Sequence, residues 1–271
     1  MISRRNVLAG LVAATAPAIT GCASRHTAQA SAAAQVAGGP SAAGLDAVID
    51  ISHNVTVTDF AAVRRRSHIL AVVHKATEGG DWIDPSYGVR RPQAESAGLL
   101  WGAYHFGTRQ YSGQRQAQTF LAAAQPGPKT VMALDFEPND HNPRNTMTLA
   151  QAEAFVQTVY QATGRLPVVY TQPNWANGMK VNRGLSLGAP IPPTSILARC
   201  DLWLADYRES PEVPLAWANR GWRLWQYAGD ETELDAAYGS VPRTVSGVSH
   251  CDRNVFAGDT SALYKFWNAH A

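Results

Sequence analysis

The sequence predicts an α/β fold, an irregular TIM-like (β/α) barrel of eight strands with helices missing between the last three. Three observations carry this. From Asp46 onward, short apolar runs alternate with amphipathic stretches through the first five strands, and such alternation implies parallel strands joined by right-handed crossovers. Three more strand-like runs follow with no good amphipathic helix between them. No glycine-rich phosphate loop follows the first strand, which removes the main support for a doubly wound open sheet, the competing arrangement. The chain has 271 residues, 45% hydrophobic and 16% charged. That suffices for one core of roughly 220–250 residues.

Taken in order, Ala47 to Ile51 is the first strand, and a helix runs from Thr58-Asp59-Phe60 through Arg66. Ile69 to Lys75 is the second strand, followed by a helix from Ser86 to Gly98 that ends on its glycine. Leu99 to Phe106 and Thr130 to Phe136 are strands, with a helix from Gln114 to Ala124 between them. The next helix spans Thr148 to Thr163. Thr148 and Glu153-Ala154-Phe155 frame its start, and Gly164 stops it. Leu166 to Tyr170 is the fifth strand, with a short helix near Pro173 to Met179. The last strands are Leu202 to Ala205, Trp222 to Tyr227 and Cys251 to Phe256, and residues 259–269 form a closing helix.

The N-terminus reads as an address. Ser3-Arg4-Arg5-Asn6-Val7-Leu8 is a twin-arginine pattern, followed by an apolar run from Leu8 to Ile19 that is too short to span a bilayer. It ends at Ile19-Thr20-Gly21-Cys22, which resembles the lipobox of bacterial lipoproteins. Residues 23–44 are Ala, Ser, Gln and Gly with almost no large apolar side chains, so they cannot offset their ordering entropy. The expected organisation is a signal at 1–21, a lipidated flexible tether at 22–44 and a barrel at 45–271. The expected location is outside the cytoplasm, reached by the twin-arginine route, with a membrane anchor at Cys22 facing the periplasm or cell wall. With Cys22 lipidated, Cys200 and Cys251 are the remaining cysteines. A bridge between them would be worth nominally about 4 kcal/mol, and two free buried thiols are the alternative.

Composition excludes several classes. Removing Arg4 and Arg5 leaves 21 Lys and Arg against 21 Asp and Glu, with no electrostatic footprint for nucleic acid. The run Arg64-Arg65-Arg66 reads as a solvated helix end. Eight Trp, nine Tyr and seven Phe among so few charges suit a groove that stacks on flat ligands. No Cys/His spacing suggests a metal site, no cofactor is expected, and a monomer is.

In a barrel of this type, functional side chains sit at the C-terminal ends of strands. Asp50 ends the first strand, Asp135-Phe136-Glu137 the fourth, Asp206 follows the sixth, and Asp252 opens the eighth. Asp135 and Glu137 share one face because side chains alternate with period two. Like-charge repulsion between them is expected to raise their pKa values, which keeps a carboxylic acid protonated for general acid work.

The strings Asp50-Ile51-Ser52-His53, Lys75-Ala76-Thr77-Glu78-Gly79 and Gly102-Ala103-Tyr104-His105-Phe106 resemble those of glycoside hydrolase family 25 lysozymes, the Chalaropsis-type muramidases. So do Leu134-Asp135-Phe136-Glu137, Val169-Tyr170-Thr171 and Leu202-Trp203-Leu204-Ala205-Asp206-Tyr207, then Trp225-Gln226-Tyr227 and Asp252-Arg253-Asn254-Val255-Phe256. They occur in the family's order over about Asp46 to Leu263.

The resemblance implies Glu137 as proton donor, Asp135 as its partner, and Asp50 and Asp252 as the other acids of the groove. The implied substrate is the bond between N-acetylmuramic acid and N-acetylglucosamine in peptidoglycan. Tyr104 and Tyr170 could hydrogen-bond the acetamido group or the acids. Trp82, Trp203 and Trp225 could stack on sugars, Asp206 could bind substrate, and Glu78 is a further candidate. His53 and His105 are expected to be structural, and Lys75 to pair with a carboxylate. Two readings stay open beside a lysozyme: an inactive peptidoglycan-binding lipoprotein, and a barrel hydrolase of another N-acetylated glycan. The sequence departs from the family after His53, where Asn54 to Asp59 replaces the usual pattern, and in the insert from Met179 to Ser195.

Overall fold

The computed structural model describes residues 44–181, 186–187, 190–208, 210–229 and 244–269. The expected export signal, Cys22, nearly all of the tether and part of the Met179–Ser195 insert lie outside the described residues.

Among the described residues, eight strands close into a barrel in the order β1 (Leu45–Ile51), β2 (Ala71–Glu78), β4 (Leu100–Phe106), β5 (Thr130–Asp135), β6 (Val168–Thr171), β9 (Leu202–Ala205), β10 (Leu224–Ala228) and β11 (Asp252–Phe256), which returns to β1. Helices α1 (Phe60–Arg66), α2 (Tyr87–Ser96), α3 (Gly113–Ala124) and α4 (Leu149–Thr163) pack outside the first five of these strands. Their ends follow local chemistry. Asp59 caps α1 by accepting from the Ala61 amide, and Thr148 caps α4 in a reciprocal capping box with Gln151, not with Glu153. Gly164 stops α4 at φ 71°, a conformation only glycine adopts freely.

β6 leads through the short α5 (Pro173–Ala176) and the two-residue strands β7 (Lys180–Val181) and β8 (Ser186–Leu187) to β9. Among the described residues between β9 and β10, a 3-10 turn, Leu215–Trp217, stands in place of a helix. This is the deformed last third the sequence anticipates. Two features differ from expectation. β2 runs on to Glu78, where β3 (Trp82–Ile83) folds back on it as a two-residue hairpin arm. β11 runs antiparallel to both β10 and β1, while the other neighbouring barrel strands pair in parallel. β10 ends and β11 begins at the same rim, so no helical crossover is needed between them.

Side-chain alternation gives the barrel an inside and an outside. Ile49, Val72, Trp101, Met132, Leu134 and Val169 face the helices. Val48, Val73, Val131, Ala133, Val168 and Leu224 fill the interior. At the base, where β1 starts and β11 ends, helix α6 (Thr260–Ala269) lies across the opening and inserts Leu263, Phe266 and Trp267 against Phe256 and Leu224. The indole of Trp267 donates to the Trp101 carbonyl at 3.0 Å.

The expected bridge between Cys200 and Cys251 is absent: both are free, buried thiols. Cys200 precedes β9 at the base, whereas Cys251 precedes the antiparallel β11 at the opposite rim. The four residue steps from Asp252 to Phe256 alone separate these levels by about 13 Å, beyond the roughly 7 Å a disulfide can span between Cα atoms. Burial pushes both thiols up to about 12.

Candidate active site

At the rim opposite α6, the same inward faces turn polar. Asp50 on β1, Asp135 at the end of β5, Glu137 two residues on, and Asp252 at the start of β11 all line one cavity of about 230 Å³. The antiparallel turn of β11 is what brings Asp252 here: its first residue, not its last, lies at the mouth, in register with Asp50. Tyr104, Tyr170 and Trp203 form the floor, with Tyr170 and Trp203 edge to face at 4.9 Å. The cavity opens past Asn54, Lys75, Phe106 and Glu137 into a groove of about 600 Å³ walled by His53 and the Asn139–Asn142 loop. Trp82 lies farther along, beside Glu78 and Tyr111.

A hydrogen-bond hub fixes the acids. Gln226 accepts from the Tyr170 and Tyr207 hydroxyls, each at 2.8 Å, and its amide donates to Asp50 at 3.0 Å and to Asp252 at 3.3 Å. Asn254 donates to Asp50 at 2.8 Å and accepts from the Trp203 indole at 2.6 Å. Asp50 therefore receives side-chain amides from both Gln226 and Asn254. Burial and the surrounding carboxylates raise Tyr104 and Tyr170 well above the usual tyrosine range, so both remain hydroxyl donors.

Asp135 and Glu137 behave differently. Burial, then the Glu137 charge, holds Asp135 well above the usual carboxylate range. Glu137 is pushed up to about 7 by burial and then by Asp140, against the Gln172 amide, which donates to its Oε2 at 3.0 Å. The expected mutual repulsion is thus present at Asp135, but for Glu137 the like charge that counts most is Asp140. Two buried like charges this close cannot both ionise, and the pair holds a proton at neutral pH. Lys75 opposes the upward shift at both carboxyls. Its ammonium bonds Glu78 at 2.6 Å and sits against the Trp82 and Phe106 rings. Oδ1 of Asp135 is buried without a hydrogen-bond partner.

Two sequence candidates lie elsewhere. Trp225 is fully buried on the outer face of β10 and donates to the Asp206 carbonyl, so it cannot stack on a ligand in the groove. Its neighbour Gln226 holds the inward position, one residue away and on the opposite face. Asp206 is engaged by Arg208 at 2.7 Å and by the Glu212 amide, an ion pair of the loop after β9. His105 is structural as expected, buried between Thr77 and Gln116 and lowered to about 3 by burial. His53 pairs with Asp84. Sequence reasoning passed over Gln226, Asn254 and Gln172. The first two stand within quoted strings, and an amide beside buried carboxylates is the signal that could have found them.

Comparison with known proteins agrees with this geometry. The profile of "Glycosyl hydrolases family 25" matches residues 49–236. The chain is 28% identical over 236 residues to lysozyme M1 of Streptomyces globisporus, covering 81% of this chain and 70% of that protein. It is 27% identical over 216 residues to an N,O-diacetylmuramidase of Arthroderma benhamiae, covering 73% and 86%. Its fold superimposes on the bacterial lysozyme of Streptomyces coelicolor with a TM-score of 0.66 at 26% identity, covering 85% of this chain and all of that one.

Proposed function

The chain belongs to family 25 of the glycosyl hydrolases, and from that membership we propose that it is a muramidase, hydrolysing peptidoglycan strands between N-acetylmuramic acid and N-acetylglucosamine. The observation that carries the mechanism is the orphan Oδ1 of Asp135, buried in the same cavity as a glutamic acid with a raised pKa. A buried acceptor without a partner costs about 1–3 kcal/mol, and the N–H of a 2-acetamido group is a donor of the right kind to satisfy it.

The two carboxyls stand two residues apart at the end of one strand rather than on opposite sides of a sugar, which fits poorly with a two-carboxylate displacement. In the reading we favour, the acetamido oxygen attacks the anomeric carbon as the bond to the leaving oxygen breaks. Glu137 gives its proton to the leaving oxygen, and Asp135 holds the acetamido N–H through its orphan Oδ1 and, in its carboxylate form, stabilises the cationic oxazolinium. Water then adds to the anomeric carbon and returns its proton to Glu137. Asp50 and Asp252, locked by Gln226 and Asn254, keep the cavity negative toward the cationic intermediate.

Mass analysis of fragments from purified peptidoglycan tests the reaction: new reducing ends should be N-acetylmuramic acid, and reducing N-acetylglucosamine would overturn the assignment. Glu137→Gln should lower the rate by about 10²–10⁴, the usual worth of a general acid, and Asp135→Asn similarly. On an aryl N-acetylglycoside, whose leaving group needs little protonation, Glu137→Gln should be largely rescued and Asp135→Asn should not. Equal rescue of both would remove the substrate-assisting role of Asp135.

The sequence motifs also support a setting for this activity. Arg4-Arg5 and the Ile19-Thr20-Gly21-Cys22 string favour export by the twin-arginine route and lipid attachment at Cys22. The barrel then works as a tethered monomer against the wall. Cys22→Ala should release it from the membrane fraction while leaving activity intact.

A further inference from the structure

The near-balance of acidic and basic residues conceals a separation of charge along the barrel axis. Arg65 and Arg66 end α1, Lys129 precedes β5, Arg199 precedes β9, Arg220 precedes β10, and Lys265 stands on α6. All six are exposed, and all lie at the base, where the parallel strands begin and α6 closes the barrel. The acids at that end are few among the described residues. Asp46 pairs with Arg253 at 2.7 Å, Glu95 with Arg91 at 3.0 Å and Asp201 with Arg220 at 3.4 Å, and Asp259 caps α6. At the mouth the acids outnumber the cations: the four carboxyls of the cavity are joined by Glu78, Asp81 and Asp140 along the groove, against Lys75, which bonds Glu78, and the exposed Arg109, Arg115 and Arg144. Among the described residues, positive charge is in excess at the base and negative charge at the mouth.

The chain enters the barrel at the positive end. β1 begins at Leu45, which pairs with Phe256 at the foot of β11. The 22 residues between Cys22 and Leu45 set a covalent reach of at most about 75 Å. A lipid on Cys22 would therefore be joined covalently to the barrel through the base end of β1 rather than through the mouth. The six cations are also spread around the ring of strand starts instead of along one groove, which suits a flat surface better than a single polyanionic strand.

We propose that the base of the barrel docks on the anionic headgroups of the membrane, holding the catalytic mouth away from the bilayer and toward the wall. Its orientation rests on the anchoring at Cys22 proposed above, but the charge attraction does not. Attraction of basic side chains to an anionic leaflet is worth about fivefold in binding per residue near the surface and is screened by salt, while the acidic mouth is repelled.

Vesicle co-sedimentation tests this, using the Cys22→Ala chain so that lipid does not contribute. Vesicles of phosphatidylglycerol in phosphatidylcholine are compared with phosphatidylcholine alone; any apolar insertion is common to both, so the ratio reports the charge. The ratio should be at least about tenfold in roughly 0.1 M salt and collapse in roughly 0.5 M. Reversal at four positions, Arg65→Glu, Lys129→Glu, Arg199→Glu and Lys265→Glu, should bring it to about one while peptidoglycan hydrolysis in solution is unchanged. If the fourfold variant does not fold, the four single variants should each lower the ratio. A ratio of one for the parent, a ratio the reversals leave untouched, or full displacement by polyphosphate at matched charge would overturn the proposal. Failure of anchoring would look different: the lipidation-competent chain and Cys22→Ala would be retained equally on membranes in cells, with the vesicle ratio intact.

Discussion

The mouth and the base of this barrel are made by the same inward faces of the same strands, and they are built on opposite terms. At the base, Val48, Leu224 and Phe256 meet Leu263, Phe266 and Trp267 from α6 in a layer with little exposed surface. At the mouth, continuing up those faces, stand Asp50, Asp135, Glu137 and Asp252; Asp135 and Glu137 have raised pKa values, and Asp135 has an orphaned carboxylate oxygen. A barrel strand carries one inward row, so stability and chemistry must divide it by height. Apolar burial at the base offsets what the crowded carboxyls cost at the mouth.

The sharpest way to break this division is from below. Trp267→Ala removes the largest side chain of the plug together with its bond to Trp101, and should destabilise the protein by about 3–5 kcal/mol in urea unfolding. The kcat/KM of the fraction still folded should hardly move. A comparable loss of activity in folded protein would mean that the base also shapes the mouth.

A smaller effect of opposite sign is expected above. Glu137 has a folded pKa raised to about 7 from an ordinary 4.5. It therefore favours the folded state below about pH 4.5, and that advantage is lost as pH rises through about 7. Glu137→Gln removes the ionisation and should stabilise the protein by about 1–3 kcal/mol at pH 8 while abolishing most activity. At pH 4 the two should unfold alike. Equal melting temperatures at both pH values would show that the mouth carries no such strain.

What the sequence showed and hid follows the same physics. The first five strands and their helices were legible because each apolar run alternates with an amphipathic one, and Asp59, Thr148 and Gly164 mark helix ends. The direction of β11 was not, since an apolar run carries no sign of which way it pairs; that hidden reversal also separated Cys200 from Cys251. Asp50, Asp135, Glu137 and Asp252 were legible as strand-end acids. Choosing Trp225 over Gln226 failed because β10 is buried on both faces, so alternation between apolar and polar residues gives no parity. Asp206 failed for a different reason: only folding reveals that Arg208 occupies it.

The finest test of the mouth concerns how the proton on Glu137 is tuned, and here two neighbours pull in opposite directions. Gln172, at the start of α5, donates to Glu137 Oε2 and so stabilises the charged form, while the Asp140 charge destabilises it. Because Glu137 must be protonated to act, activity should fall as pH rises past about 7, and the midpoint of that fall reports its pKa in the free enzyme when kcat/KM is followed. Gln172→Leu should move the midpoint upward by roughly 0.5–1 unit, and Asp140→Asn should move it downward by a similar amount. A purely structural role for Gln172 would lower the whole profile without displacing it. If both substitutions shift the limb the same way, the group titrating there is not Glu137, and the proton must be sought on Asp135 instead.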